Sequence, residues 1–170
     1  MTPENHATPS EHGTSVSEGL SVTGEDVALT PEDEAFLRRA IGLAAKARAG
    51  GDPPFGSLLA GPDGNVLAED HNTSLTDRDI TAHPELKLAR WAARELDPAT
   101  AAATTLYTSC QPCGMCAGAI ARSGLGRVVY ALSNEQLTAL KPPGTAFTDA
   151  PARGPALPEE ARVPVEGYYR

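Results

Sequence analysis

No stretch of this 170-residue chain is apolar for the ~18–20 residues that a helical membrane span requires, which excludes an integral helical membrane protein. Cysteine is scarce. There are three, too few for a disulfide-built scaffold, and all lie close together as Cys110, Cys113 and Cys116. Aromatics are only 5% of the residues. Excess positive charge is also missing: 14 Lys+Arg face 22 Asp+Glu, for a net charge of −8. Residues 1–34 hold eight of the acids and neither Lys nor Arg, which leaves the remainder balanced at 14 against 14. A protein that grips many phosphates would carry bulk basic charge, so nucleic acid is not the expected partner. The N-terminus shows neither a basic n-region nor an apolar h-region, so no secretory signal is read there. Clustered thiols in such a chain point to metal or redox chemistry in a reducing compartment, and a cytoplasmic location is expected.

Residues 1–28 are rich in Ser, Thr, Glu, Gly and Pro and nearly devoid of large apolar side chains. Such a segment buries too little surface to offset its ordering entropy, and it reads as a disordered acidic tail. Residues 29–170 read as one domain with an irregular C-terminal tail. Thr30-Pro31-Glu32-Asp33-Glu34 is a helix start, with an N-cap, a proline at N1 and acids at the positive end of the dipole. Phe36, Leu37, Ala40, Ile41, Ala44 and Ala45 follow at helical spacing, and Gly50-Gly51 stops the run. Ser57–Ala60 and Val66–Glu69 flank the turn signal Pro62-Asp63-Gly64 and read as a hairpin. A second helix is expected over Ala82–Leu96, stopped by Asp97-Pro98. Thr104–Thr108 reads as a strand, Cys113–Ser123 as a helix closed by Gly124, and Arg127–Leu132 as a strand. This alternation predicts an α/β fold in which the later strands pair in parallel.

Two short segments carry the chemistry. His83-Pro84-Glu85 and Pro112-Cys113-Gly114-Met115-Cys116 each open a predicted helix. Cys113 and Cys116 are three apart, so both thiols can share one helix face and grip one ion. His83 can supply a third ligand. One His and two Cys form a zinc set with its fourth position open, as catalytic rather than structural zinc requires. Glu85, two residues on, can then serve as a proton carrier. Two other readings stand beside this one. Cys110 as a fourth ligand would make the zinc structural. An iron–sulfur run would need a fourth cysteine, which the chain lacks.

The pattern H-x-E…P-C-x-x-C is the signature of zinc-dependent base deaminases. With Pro54-Phe55-Gly56, Asn72, Arg78-Asp79-Ile80-Thr81-Ala82-His83-Pro84-Glu85 and Thr108-Ser109-Cys110-Gln111-Pro112-Cys113-Gly114-Met115-Cys116, residues 30–135 resemble the cytidine deaminase-like superfamily. The likeness is to the branch holding guanine and cytosine deaminases and tRNA adenosine deaminases. It implies a three-layer α/β/α sandwich around a mixed sheet of about five strands. It implies His83, Cys113 and Cys116 as Zn2+ ligands, Glu85 as proton shuttle, Asn72 as a hydrogen-bonding contact to the substrate ring and Phe55 as a pocket aromatic. It also implies a homodimer. One position departs from the pattern: similar proteins carry Ala or Gly where Pro84 stands, and proline has no N–H to offer a substrate.

Hydrolytic deamination of a small amino-substituted heterocycle, nucleobase or nucleoside, is therefore the expected activity. A tRNA adenosine deaminase is the rival, and a non-catalytic zinc-stabilised partner subunit the third reading. Asp79 is expected to organise the loop before the second helix, and Trp91 to pack in the core. Tyr168-Tyr169-Arg170 is expected either to anchor the C-terminal tail or to close over the pocket.

Overall fold

A computed structural model describes residues 28–144 and 150–168. The acidic tail expected over residues 1–28 lies outside the described residues except for Ala28, as do Tyr169 and Arg170. Along the chain run α1 (Pro31–Ala49), β1 (Gly56–Ala60), β2 (Val66–His71), α2 (Pro84–Glu95), α3 (Pro98–Ala103), β3 (Thr105–Cys110), α4 (Gly114–Ser123), β4 (Arg127–Leu132), α5 (Asn134–Ala139) and α6 (Pro158–Arg162). Among the described residues no helix is long and apolar enough to cross a membrane.

The sheet order is β2-β1-β3-β4. β1 is antiparallel to both β2 and β3, and β3 and β4 are parallel, as the intervening α4 crossover requires. The sheet has four strands among the described residues, against an expectation of about five. After β4 the chain turns at once into α5, whose N-cap Ser133 and Gln136 form a reciprocal capping box, and then meets Pro142-Pro143.

Side-chain alternation on the central strands builds two apolar layers. Leu58, Ala60, Tyr107 and Val129 face Leu37 of α1. Leu59 and Leu106 face Leu88, Ala89 and Ala92 of α2 and Ile120 of α4. The result is the expected three-layer sandwich, with α1 on one face and α2 and α4 on the other. Trp91 is half-buried against the second layer, as expected of a packing residue.

The buried face of α1 is Asp33, Leu37, Ala40, Ala44 and Ala47, an i, i+4, i+3 progression. Ile41 is half exposed and Ala45 is exposed, although both follow the helical spacing of the run. They sit one step round the helix from Ala40 and Ala44 and miss the sheet. Small residues at 40 and 44 let α1 lie directly on β1. A Cβ on Gly56 would stand 2.5 Å from Ala40 O, Ala44 N and Leu43 Cβ. Asp97-Pro98 does end α2, but it also starts α3, because Asp97 Oδ1 accepts from Ala99 N and Thr100 N.

Candidate active site

The site is assembled where two helices begin. α2 and α4 pack side by side through Leu88, Ala89 and Ile120, and their N-termini converge beyond the end of β3. His83 is the N-cap of α2 and Cys113 the N-cap of α4, both with extended backbone. Neither side chain caps its own helix. N-caps are commonly filled by Ser, Asp or Asn for that purpose. Here the imidazole and the thiol face each other instead.

Local hydrogen bonds hold these positions. Asp79 Oδ1 accepts from Thr81 N at 2.8 Å and from Thr81 Oγ1 at 2.6 Å, so Asp79 organises the loop into α2 as expected. Asp52, buried at the end of α1, accepts from Leu75 N, Thr76 N and Thr76 Oγ1 and ties the same loop to the first layer. Those bonds, led by the Thr76 hydroxyl, keep its carboxyl below the usual range. Pro84 fills N1 of α2, where a missing N–H costs nothing, and is almost wholly buried. Gln111 N donates to Leu132 O, and Gln111 Oε1 accepts from Asn134 N, which anchors the turn ahead of Cys113.

His83, Cys113 and Cys116 are a set of potential metal ligands whose donor atoms all lie within 4.8 Å of one another. His83 Nδ1 is 3.8 Å from Cys113 Sγ and 3.5 Å from Cys116 Sγ, and the two sulfurs are 3.5 Å apart. Zinc bonds of about 2.3 Å to sulfur and about 2.0–2.1 Å to nitrogen at tetrahedral angles place such atoms about 3.5–3.8 Å apart. The donor triangle therefore has the dimensions zinc needs. Burial, and then the Glu85 carboxylate, push the Cys116 thiol far above its ordinary value. A divalent cation at the triangle reverses that balance by holding the thiolate. Cys110 is not part of the triangle. It is buried at the end of β3, and burial together with Glu85 pushes its thiol up. Among the described residues the group has three members, and Cys110, the fourth ligand of the structural reading, is not one of them.

Glu85 is 5% exposed. Its Oε2 lies 3.7 Å from Cys116 Sγ, at the triangle's edge, while Oε1 accepts from Thr108 Oγ1 at 3.0 Å. His83 caps the helix rather than lying within it, which is how residues two apart come to face one point. Asn72 follows β2, its N–H donating to Phe55 O at 2.9 Å. Its side chain is 1% exposed, and its Oδ1 accepts from Ser74 N and Ser74 Oγ. Asn72 Nδ2 is buried with no partner. A buried amide donor left unpaired is costly and normally finds an acceptor. Phe55 is half-buried just ahead of β1, and its carbonyl is the acceptor that holds Asn72 N–H. The structure thus brings His83, Glu85, Cys113 and Cys116 together. Thr108, whose hydroxyl meets Glu85, has no role in the sequence reading. The signal for it was available in part: it shares the inward phase of β3 with Leu106.

The cytidine and deoxycytidylate deaminase zinc-binding region matches residues 30–132. A probable cytosine deaminase of Schizosaccharomyces pombe is 35% identical over 159 residues, covering 83% of this chain and 94% of the relative. The tRNA-specific adenosine deaminase of Haemophilus influenzae is 37% identical over 108 residues, 64% of this chain and 62% of that one. The crystal structure of guanine deaminase from Bacillus subtilis superimposes with a TM-score of 0.65 at 31% identity, covering 79% of this chain and 92% of the other. With its fold, its donor triangle and this match in agreement, the chain belongs to the zinc-binding cytidine and deoxycytidylate deaminase family, and its cofactor is Zn2+.

Proposed function

We propose that this protein is a zinc-dependent hydrolytic deaminase of a small amino-substituted heterocycle, a nucleobase or nucleoside, and that it releases ammonia. The observation that carries the reading is the position of Glu85 Oε2 beside a three-membered donor triangle, 3.7 Å from Cys116 Sγ. Such a set has room for a reactant, and the carboxylate stands where protons must move.

His83, Cys113 and Cys116 would hold the ion. When bound, zinc supplies Lewis-acid activation of water near neutral pH. Asn72 Nδ2 donates to an acceptor on the ring and orients it, which satisfies a buried amide donor that otherwise has no partner. Phe55 supplies an apolar wall. Glu85 takes a proton from the attacking water and delivers it to the ring nitrogen adjoining the amino-bearing carbon. Oxygen bonds to that carbon. Glu85 then takes the second proton from this oxygen and gives it to the amino group. The C–N bond breaks, ammonia departs with the electron pair, and the ring keeps a carbonyl oxygen. Pro84 can make no backbone N–H contact to the base, so this site recognises its ring with one donor fewer than a site with Ala or Gly there.

Ammonia release from a panel of aminopurines, aminopyrimidines and their nucleosides tests the reading. Activity should vanish in Glu85→Ala while zinc remains. Full activity in that variant would overturn the mechanism. The tRNA-acting relative supports a second reading, deamination of an adenosine in tRNA. It predicts a salt-sensitive shift of tRNA on a gel, and absence of binding at low salt discards it. The non-catalytic reading has no support from Cys110, which lies outside the triangle. We further propose a homodimer in the cytoplasm; a monomer mass by light scattering at micromolar concentration would refute the assembly.

A further inference from the structure

The mechanism uses Glu85 Oε2 and leaves unexplained why a catalytic carboxylate should present that oxygen. Glutamate has three rotatable bonds, and a flexible carboxylate spends little time in one productive orientation. Here the other oxygen is occupied. Thr108 Oγ1 donates to Glu85 Oε1 at 3.0 Å, and Ser57 Oγ donates to Thr108 Oγ1 at 2.9 Å. Ser57 and Thr108 are both fully buried and are direct partners in the β1–β3 ladder. Their side chains share the face that carries Leu59 and Leu106 toward α2. The chain Ser57–Thr108–Glu85 thus runs from the centre of the sheet to the helix start.

The proton count fixes its direction. A threonine hydroxyl has one proton to give. Because Ser57 donates into the Thr108 oxygen, the Thr108 proton is directed to the carboxylate. Threonine is also stiff at χ1 and sits on a central strand, so the donor is rigid. Each buried link polarises the next. An apolar residue would satisfy the packing at both positions equally well, as the surrounding leucines do, so packing does not account for the hydroxyls.

We infer that Thr108 is a positioning residue of the deamination reaction: its hydroxyl, oriented by Ser57, holds Glu85 Oε1 so that Oε2 alone faces the donor triangle. The inference rests on Glu85 being the proton carrier. It acts through Glu85 and needs no contact with substrate.

Thr108→Val keeps the shape and removes the donor; Thr108→Ser keeps the donor. Thr108→Val should lower kcat by about 10- to 100-fold, the scale of one lost hydrogen bond to a charged group, with KM and zinc content unchanged. Thr108→Ser should retain most of wild-type kcat. Ser57→Ala should cost only a few-fold, and nothing more when added to Thr108→Val, since both act on one chain. In a Glu85→Gln background, Thr108→Val should leave the residual rate unchanged. Crystal structures give a readout without turnover: one carboxylate orientation of Glu85 in wild type and Thr108→Ser, and more than one in Thr108→Val. Equal kcat in Thr108→Val and wild type, or one unaltered carboxylate orientation in Thr108→Val, overturns the positioning role. So does equal loss in Thr108→Ser. Absence of ammonia release by the wild type on every heterocycle instead overturns the deaminase reading and takes the inference with it.

Discussion

Tyr107 Oη donates to Asp33 Oδ1 at 2.8 Å, a bond that joins the central strand β3 to the first turn of α1 across 74 residues of sequence. Arg127 of β4 adds contacts to both Asp33 oxygens at 3.1 and 3.3 Å, and Thr30 adds its N–H and hydroxyl at 3.0 Å. Asp33 is 2% exposed. Burial alone would raise its pKa, but the hydrogen bonds from Thr30, Tyr107 and Arg127 outweigh it and bring the carboxyl down to about 2. The neighbouring phenol moves the other way: burial, then the bond to Asp33, push Tyr107 up to about 12, so it remains a donor at neutral pH.

The sign of the pH effect follows. The folded pKa of Asp33 is about 2, below the ordinary 3.8. Its contribution to stability is therefore complete above the unfolded value. It is lost as pH falls from 3.8 toward about 2. The size is about 2–2.5 kcal/mol. Urea unfolding of wild type and Asp33→Asn across this window should converge at the acid end and separate above it.

Gly56→Ala should destabilise the fold by about 1–3 kcal/mol through overpacking, because the added methyl meets α1 backbone atoms at 2.5 Å. A lower urea midpoint with an unchanged m-value is the expected result. An unchanged midpoint would mean that α1 does not lie on β1 as described.

The protein should purify with about one zinc per chain. Cys113 is exposed, so Cys113→Ser should lose the metal and still fold. Cys116→Ser should lose the metal as well, at a buried position. Cys110→Ser should keep it. Metal content by mass spectrometry, with unfolding followed in parallel, separates the three. Zinc loss in Cys110→Ser would restore the four-ligand reading.

Asn72→Asp preserves an acceptor for Ser74 and removes the unpaired amide donor. Its kcat/KM should fall by at least about 10-fold, the scale of one lost buried hydrogen bond, and the carboxyl it buries should also lower the melting temperature. Wild-type kinetics in this variant would take Asn72 out of the substrate site.

The matched region begins at residue 30 and the helix cap at Thr30. Deleting residues 1–28 should therefore leave zinc content, melting temperature and ammonia release unchanged. A loss of folding would show that the acidic segment belongs to the domain.

Much of this was legible one residue at a time. Thr30-Pro31 announced α1, and Pro62-Asp63-Gly64 announced the β1–β2 hairpin, because caps and tight turns are made by neighbours in sequence. α3 was missed because Asp97-Pro98 stops one helix and starts another with the same two residues. Helical spacing alone did not separate buried Ala40 and Ala44 from exposed Ile41, because apolar character does not say which side of a helix meets the sheet.

The sequence by itself determined which side chains are candidates for the chemistry we propose. His83, Glu85, Cys113 and Cys116 are spelled out at two helix starts, and ligand type and spacing are local properties. Only the tertiary structure decided how those groups are held. The hydroxyl chain from Ser57 to Thr108 joins residues 51 apart, and the Asp33–Arg127 pair joins residues 94 apart. Each depends on strand register and on which face of α1 or α2 meets the sheet. A shift of one residue in β3 would turn Thr108 away from Glu85 and Tyr107 away from Asp33 together, because side chains alternate along a strand.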